Sequence, residues 1–277
     1  MLLMNNDHRP RKSLGQHFLI DGRIADRIVD FAGIEPEDTV LEIGPGKGIL
    51  TERLLERTCN VTVVEIDRDL LKILNERFGN RKGFRIADAD ILKVDLKELF
   101  RDFSGRIKVV SNIPYNISTP IIELLCRNRT LVSEAVLMVQ KEVAQRLLSK
   151  SGSKDYGLTT LNLALCAKGR MVMKVKPEAF YPPPEVMSGV ISLVFSVNLL
   201  YPLESEDSFR AITGVAFRQR RKMVRNTLIP YMISQGISKS DALDLLSREG
   251  IDPMSRPETL DVKDFVNLSN AITMVLA

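Results

Sequence analysis

The tetrapeptide Asn112-Ile113-Pro114-Tyr115 sets a carboxamide, a carbonyl joined to proline and an aromatic ring side by side in a chain of 277 residues. These are the groups that handle the exocyclic amine of a nucleobase. An adenine amino nitrogen is a poor nucleophile, because its lone pair is delocalised into the ring, and acceptors aimed at its N–H bonds draw that pair back onto nitrogen. An aromatic ring stacked on the base holds it still. The same residues also suit an ordinary turn after a strand, with Asn and Pro as turn formers and Tyr as an anchor. Their meaning therefore depends on what lies upstream.

Upstream, Glu42-Ile43-Gly44-Pro45-Gly46-Lys47-Gly48 follows a β-rich run and opens a helical one. Backbone N–H groups and close backbone approach make a ligand crevice at such a place. The glycines, Gly44 and Gly46 among them, are spaced G-x-G-x-G, which is neither the G-x-G-x-x-G dinucleotide fingerprint nor the Gly-Lys-Ser/Thr ending of a P-loop. Glu65 ends the next β-rich run, roughly 20 residues on, where a carboxylate hydrogen-bonds both ribose hydroxyls, a feature shared with NAD enzymes. Asp90 follows the third run, placed to accept from an adenine amino group. Each acid alone would also read as a solvated loop residue or a helix cap; together they describe a crevice for an adenosine.

The elements that must position these groups are legible as alternating periods. Short β-rich runs at 39–43, 60–64, 83–86, 106–110 and 134–139 are separated by leucine and isoleucine stripes at helical spacing: Leu50, Leu54 and Leu55; Leu70, Leu71 and Leu74; Ile121, Leu124 and Leu125. This alternation predicts a doubly wound α/β sheet. Asp21 is placed to cap a helix that carries Ile24, Ile28 and Phe31 and ends at Gly33. A further strand pair is expected at 171–175 and 190–195, around the proline-rich Phe180-Tyr181-Pro182-Pro183-Pro184, which suits neither helix nor central strand. Beyond about residue 200 only helical patterns follow, at 208–229, 240–250 and 262–275, and they predict a small helical domain. In the first of these, Arg218, Arg221, Lys222 and Arg225 share one helical face, with Phe217, Val224 and Leu228 left for packing. A basic amphipathic helix of this kind neutralises phosphates.

Composition narrows the class. With 44% hydrophobic and 27% charged residues the chain is an ordinary globular protein. Cys59, Cys126 and Cys166 are scattered and odd in number, and His8 and His17 are the only histidines. Neither a disulfide framework nor a metal centre is expected, and a reducing cytoplasm fits best. The run Met1-Leu2-Leu3-Met4 is too short for a signal peptide or a membrane span, and the basic residues after it, from Arg9 to Lys12, suggest a flexible arm. The net charge of +4 suits nucleic acid and many small-molecule enzymes alike.

The stations Glu-x-Gly-x-Gly-x-Gly, a second-strand acid, a third-strand Asp and Asn-Ile-Pro-Tyr after the fourth strand resemble, in that order, the class I S-adenosylmethionine methyltransferases that modify N6 of adenine. More narrowly, four segments are similar to the small-subunit rRNA adenine dimethyltransferases: Gly15 to Leu19, Asn112 to Pro120, Pro177 to Val186 and Phe217 to Lys222. The likeness spans nearly the whole chain. His17 stands where the bacterial pattern Gly-Gln-Asn-Phe-Leu has Asn, and in this it is similar to the archaeal and eukaryotic branch.

The resemblance implies a Rossmann-like catalytic domain over residues 1–200, of which 1–20 are a basic arm and cofactor-closing motif, and a helical RNA-binding domain over 201–277. His17 and Leu19 would close over S-adenosylmethionine, Gly44 would lie under its methionine part, Glu65 would hold the ribose and Asp90 the adenine, and Asn112 would border the reacting centre. Asn112 and the carbonyl preceding or at Pro114 would accept the amino hydrogens, with Tyr115 stacked on one face of the base and Phe180 covering the other. The implied partner is small-subunit rRNA or a small-subunit precursor, met by a monomer without metal or membrane. Two alternatives stand beside this: a non-catalytic assembly factor that binds rRNA, and an adenine methyltransferase acting on large-subunit rRNA or DNA.

Overall fold

The computed structural model describes residues 10, 11 and 15–276; most of the basic arm expected at the N-terminus lies outside the described residues. The chain divides into two compact units, one of residues 1–144 and 167–197 and the other of residues 145–166 and 198–277. The boundary expected at residue 200 thus falls at 197/198, and residues 145–166 leave the first unit for the second. The reason is apolar: Tyr156, Leu161 and Leu165 are buried in one cluster with the C-terminal helices.

The first unit runs β1 (Phe18–Leu19), α1 (Gly22–Ala32), β2 (Thr39–Ile43), α2 (Ile49–Arg57), β3 (Asn60–Glu65), α3 (Arg68–Phe78), β4 (Phe84–Asp88), α4 (Leu96–Leu99), β5 (Ile107–Asn112), α5 (Ser118–Arg127) and β6 (Val132–Gln140). The unit boundary falls within α6 (Lys141–Leu147). After α7 (Leu158–Cys166), which belongs to the second unit, the chain returns through β7 (Ala167–Val175), β8 (Phe180–Tyr181) and β9 (Ser188–Phe195).

Seven strands form one sheet in the order β4-β3-β2-β5-β6-β9-β7. The five strands from β4 to β6 are parallel, and β9 runs antiparallel to both neighbours. The central strands read as unbroken apolar runs because both faces are covered: Val40, Leu41, Val61, Val63, Val109, Val110, Leu137 and Val139 are all fully buried. Strand order reverses between β2 and β5, and the crevice beyond the carboxyl ends at such a switch point is where α/β sheets bind ligands.

Helix α1 starts where Asp21 accepts from the Arg23 amide and stops at Gly33, whose φ is 53°. Its buried face is Ala25, Ile28, Val29 and Ala32. Phe31, expected in that stripe, is 37% exposed. The small alanines complete an i, i+3, i+4, i+7 face and turn Phe31 outward.

The second unit holds α7 together with α8 (Glu206–Arg218), α9 (Val224–Ser234), α10 (Lys239–Arg248) and α11 (Val262–Leu276). The single helix expected over 208–229 is therefore two. Its break has identifiable causes. Amides of the first turn of α9 are satisfied from outside the helix, Val224 N by Ser255 O at 2.8 Å and Arg225 N by Pro253 O at 3.0 Å. Between Phe217 and Met223 there is no apolar side chain to hold a continuing helix, and cations three and four residues apart repel one another on a helix. Folding back also lets Phe209, Ile212 and Ala216 of α8 share a core with Val224, Leu228 and Met232 of α9. Among the described residues no helix is long and apolar enough to cross a membrane.

Candidate active site

One cavity of the first unit gathers the glycine loop, Glu65, Asp90 and the Asn112–Tyr115 segment, with residues 15–19 as a further wall. The sheet explains the meeting: each motif ends or closely follows a parallel strand, so the motifs converge at one edge. Gly44 and Gly46 sit at φ 62° and 60°, a region open to glycine at little cost. At Gly46 there is also no room, since a Cβ would lie 2.9 Å from the Phe18 ring.

Glu65 is only 6% exposed. Its Oε1 accepts from the amides of Ile66 and Asp67, both at 2.9 Å, and the Gly46 amide also donates to it. Burial pushes its pKa up, the amides oppose that rise, and the charge of Asp67 adds to it. A carboxylate has about four acceptor positions, so three amide donors fix Glu65 and leave about one position, on the second oxygen, for a hydroxyl. That is the chemistry a ribose requires. Asp90 caps a short 3-10 turn, accepting from Leu92 N at 3.1 Å, and lines the same cavity; it is a cap and a cavity wall at once.

Sequence reasoning assigns no role to Glu42, although the glycine motif begins with it. Glu42 lines the cavity, is 1% exposed and accepts from the Thr51 hydroxyl at 2.6 Å. Burial pushes its pKa up to about 8, against the Thr51 hydrogen bond and with a contribution from the Glu65 charge.

Asn112 ends β5, and its Nδ2 donates to the His17 carbonyl at 3.2 Å. A carbonyl can pair only with the amide nitrogen, so the carboxamide is oriented and Oδ1 is kept as the acceptor end. Tyr115 begins a 3-10 turn, and its hydroxyl is 2.6 Å from Ser188 Oγ. Burial raises its pKa, and the Ser188 hydrogen bond partly offsets this. His17 stacks on the Tyr115 ring, centroids 5.6 Å apart and planes at 28°. Because His17 Nδ1 lies 2.8 Å from Pro182 O, Nδ1 carries the hydrogen and donates it.

The wall at 15–19 is tied down at several points. Phe18 and Leu19 pair with Tyr181 and Phe180 as a two-stranded antiparallel sheet, and Gln16 Nε2 donates to Asp67 at 2.9 Å. Arg11, within the expected basic arm, reaches Asp69 at 2.7 Å. The β1–β8 pairing corrects one expectation. Phe180, assigned to the second face of a base, is 2% exposed in the hydrophobic core and is not among the cavity walls. Pairing opposite Leu19 turns it inward.

In the second unit, Arg218, Arg221 and Lys222 line a separate cleft with Lys154 and Arg256. They do so from the end of α8 and the following turn rather than from one helical face. Arg225 lies in the first turn of α9, exposed and outside that cleft. Arg220 also lines the cleft, where its Nε is 2.5 Å from Glu258. Lys154 and Arg256 carry no sequence signal, being isolated cations in other segments. Among the described residues no group of three or more His, Cys, Asp or Glu is placed to hold a metal ion.

The profile of the family described as "Ribosomal RNA adenine dimethylase" matches residues 7–274. The chain is 41% identical over 270 residues to the Ribosomal RNA small subunit methyltransferase A of Moorella thermoacetica, covering 95% of this chain and 92% of that protein. It is 39% identical over 266 residues to the protein of the same name from Pseudomonas syringae, covering 96% of each. Among solved structures, a dimethyladenosine transferase from Plasmodium falciparum is similar with a TM-score of 0.76 at 27% identity, covering 91% of this chain and 96% of that one. The 23S rRNA methyltransferase ErmE has the same fold, with a TM-score of 0.68 at 23% identity over 92% of this chain and 99% of that one. The first two relatives are bacterial, whereas His17 resembles the archaeal and eukaryotic pattern; one residue is a weaker guide to lineage than similarity along a whole chain. Sequence and fold agree over nearly its full length, and the chain belongs to the ribosomal RNA adenine dimethylase family.

Proposed function

We propose that this chain transfers methyl groups from S-adenosylmethionine to N6 of two adjacent adenines in small-subunit ribosomal RNA, acting as a cytoplasmic monomer during ribosome biogenesis. The observation that carries the reading is the single cavity that joins the glycine loop, Glu65 and Asp90 to Asn112 and Tyr115. S-adenosylmethionine, when bound, supplies an electrophilic methyl group on a sulfonium sulfur. Glu65 holds its ribose, Asp90 its adenine, Gly44 and Gly46 admit its methionine part, and His17 and Leu19 close over it.

The target adenine leaves its RNA stack to reach the cavity, as enzymes acting on base atoms require, and an unpaired loop makes this least costly. Tyr115 stacks on the base. Asn112 Oδ1, kept as an acceptor by the Nδ2 bond to His17, takes one amino hydrogen. The Pro114 carbonyl already accepts from Ile117 N at 3.2 Å and from the Ser118 hydroxyl at 3.4 Å, so the second acceptor is the Ile113 carbonyl. Both acceptors tighten as N6 becomes cationic, which stabilises the transition state more than the bound substrate. An N6-protonated aminopurine is strongly acidic and loses its proton after transfer, so Asn112 orients and no general base is required. Arg218, Arg221, Lys222 and Arg225 neutralise RNA phosphates.

The reading is tested by incubating the protein with labelled S-adenosylmethionine and unmodified small subunits, free rRNA or DNA, and then identifying the labelled nucleoside. Dimethyladenosine from the small subunit is the expected product. Label only in DNA or large-subunit rRNA would contradict the substrate, and no product despite cofactor binding would hand the chain a non-catalytic role in assembly.

A further inference from the structure

His17 lines the cavity, where the resemblance has it close over the cofactor; the contacts that hold it are with Tyr115, Asn112 and Pro182. Its ring stacks on Tyr115, its Nδ1–H is held by the Pro182 carbonyl, and its own carbonyl receives Asn112 Nδ2. One residue of β1's approach thus touches both groups assigned to the target base and anchors them to the proline-rich loop. Tyr115 is restrained twice: Ser188 takes the phenol end at 2.6 Å, and His17 takes one face of the ring at a centroid distance of 5.6 Å.

A ring tethered only at its hydroxyl can still rock about that end, and a stacking platform that rocks loses orientation, which catalysis by positioning depends on. An aromatic neighbour on one face removes that freedom. Phe180, buried in the core, does not supply this backing. We infer that His17 is a positioning residue for the target adenine: it backs Tyr115 ring on ring, so that the base stacks on the opposite face, and its carbonyl holds the Asn112 carboxamide with Oδ1 toward substrate.

The two contributions separate by chemistry. The carbonyl survives any side-chain substitution, so a change at position 17 tests the ring alone. His17→Ala removes the ring and the Pro182 bond, whereas His17→Phe restores a ring without the bond. The inference rests on Tyr115 being the stacking platform, and the experiment separates the two ideas.

Single-turnover methyl transfer to unmodified small subunits is measured for wild type, His17→Ala, His17→Phe, Tyr115→Ala and the His17→Ala/Tyr115→Ala double variant, with S-adenosylmethionine affinity measured on each by calorimetry. An aromatic pair predicts a loss of roughly 3–10-fold in the transfer rate for His17→Ala. The rate is read at saturating S-adenosylmethionine, so that any fall in cofactor affinity is separated from it; His17→Phe should recover most of the rate, and the alanine at 17 should have no further effect once Tyr115 is gone. Multiplicative losses in the double variant, no recovery by Phe, or a loss that falls on cofactor affinity with the transfer rate intact would each overturn the role of His17. Wild-type transfer by Tyr115→Ala would overturn the reading of the platform itself, and His17's role with it. Retained cofactor binding by every variant shows that the first unit has folded.

Discussion

The cavity of the first unit and the basic cleft of the second are built to opposite rules. In the cavity the polar groups are wholly or partly buried and individually fixed: Glu65 by backbone amides, Asn112 by the His17 carbonyl, Tyr115 by Ser188 and His17. In the cleft Arg218, Arg221 and Lys222 are exposed, and the ion pair of Arg220 with Glu258 orders the turn rather than the cations that flank it. A reaction governed by orientation needs the first arrangement. A polyanion whose backbone varies in shape is served by the second, because long cations follow phosphates without a fixed geometry. Substitutions in the cavity should therefore act on rate or cofactor and those in the cleft on RNA affinity.

The contrast is broken most easily at Asn112. Removing an acceptor that tightens on developing charge costs on the order of 10²–10³ in rate, so Asn112→Ala should nearly abolish methyl transfer while RNA affinity is little changed. Loss of base stacking in Tyr115→Ala is worth ~1–3 kcal/mol, a smaller but clear fall in the same assay. If either variant weakens RNA binding as much as turnover, the division of labour is wrong.

Next in size is Glu65→Ala. Hydrogen bonds to a charged group contribute ~1.5–3 kcal/mol, and calorimetry should show S-adenosylmethionine affinity falling about 10–100-fold on that basis. Unaltered affinity would remove Glu65 from the cofactor site.

In the cleft, Arg221→Ala, Lys222→Ala, Lys154→Ala and Arg256→Ala should each flatten the salt dependence of RNA binding, by about 0.7–0.9 in the log–log slope for every phosphate no longer neutralised. Turnover at saturating RNA should not move. Arg225 lies outside the cleft, and a slope change for Arg225→Ala as large as the others would extend the phosphate-binding surface from the cleft onto helix α9.

The last effect is on stability and concerns Glu42. Its folded pKa of about 8 stands above the ordinary carboxyl value of ~4.3, so the folded chain binds the extra proton across that window. Stability is then lost as pH rises from the unfolded value through the folded one. From about pH 6 to 9 the Tm of the wild type should fall relative to that of Glu42→Gln. Parallel curves would show that the burial of Glu42 has no such consequence.

The parallel strands and the stations at their ends were legible because each is local: an apolar β-rich run, then a glycine or acid at its carboxyl end. Convergence of the stations followed from strand topology without any long-range signal in the sequence. What stayed hidden depends on distant partners. The pair β1 and β8 are two residues each, too short for any period, and that pairing is what buries Phe180. Glu42 lies inside a strand and reads as one more interior position. The break after Arg218 is imposed by the carbonyls of Pro253 and Ser255 and by Glu258, and those same segments bring Arg256 to the cleft. In α7 six of nine positions are apolar and they fall on all sides of the helix, so no amphipathic stripe announces that 145–166 belongs with the C-terminal helices.

The most direct measurement is a crystal structure of the chain with S-adenosylhomocysteine. The ligand should lie in the cavity, its ribose hydroxyls on the Glu65 carboxylate, its adenine amine on Asp90 and its sulfur beside Asn112. A nucleoside bound elsewhere, or one that leaves Glu65 and Asn112 untouched, would contradict the assignment of cofactor and target base to one site.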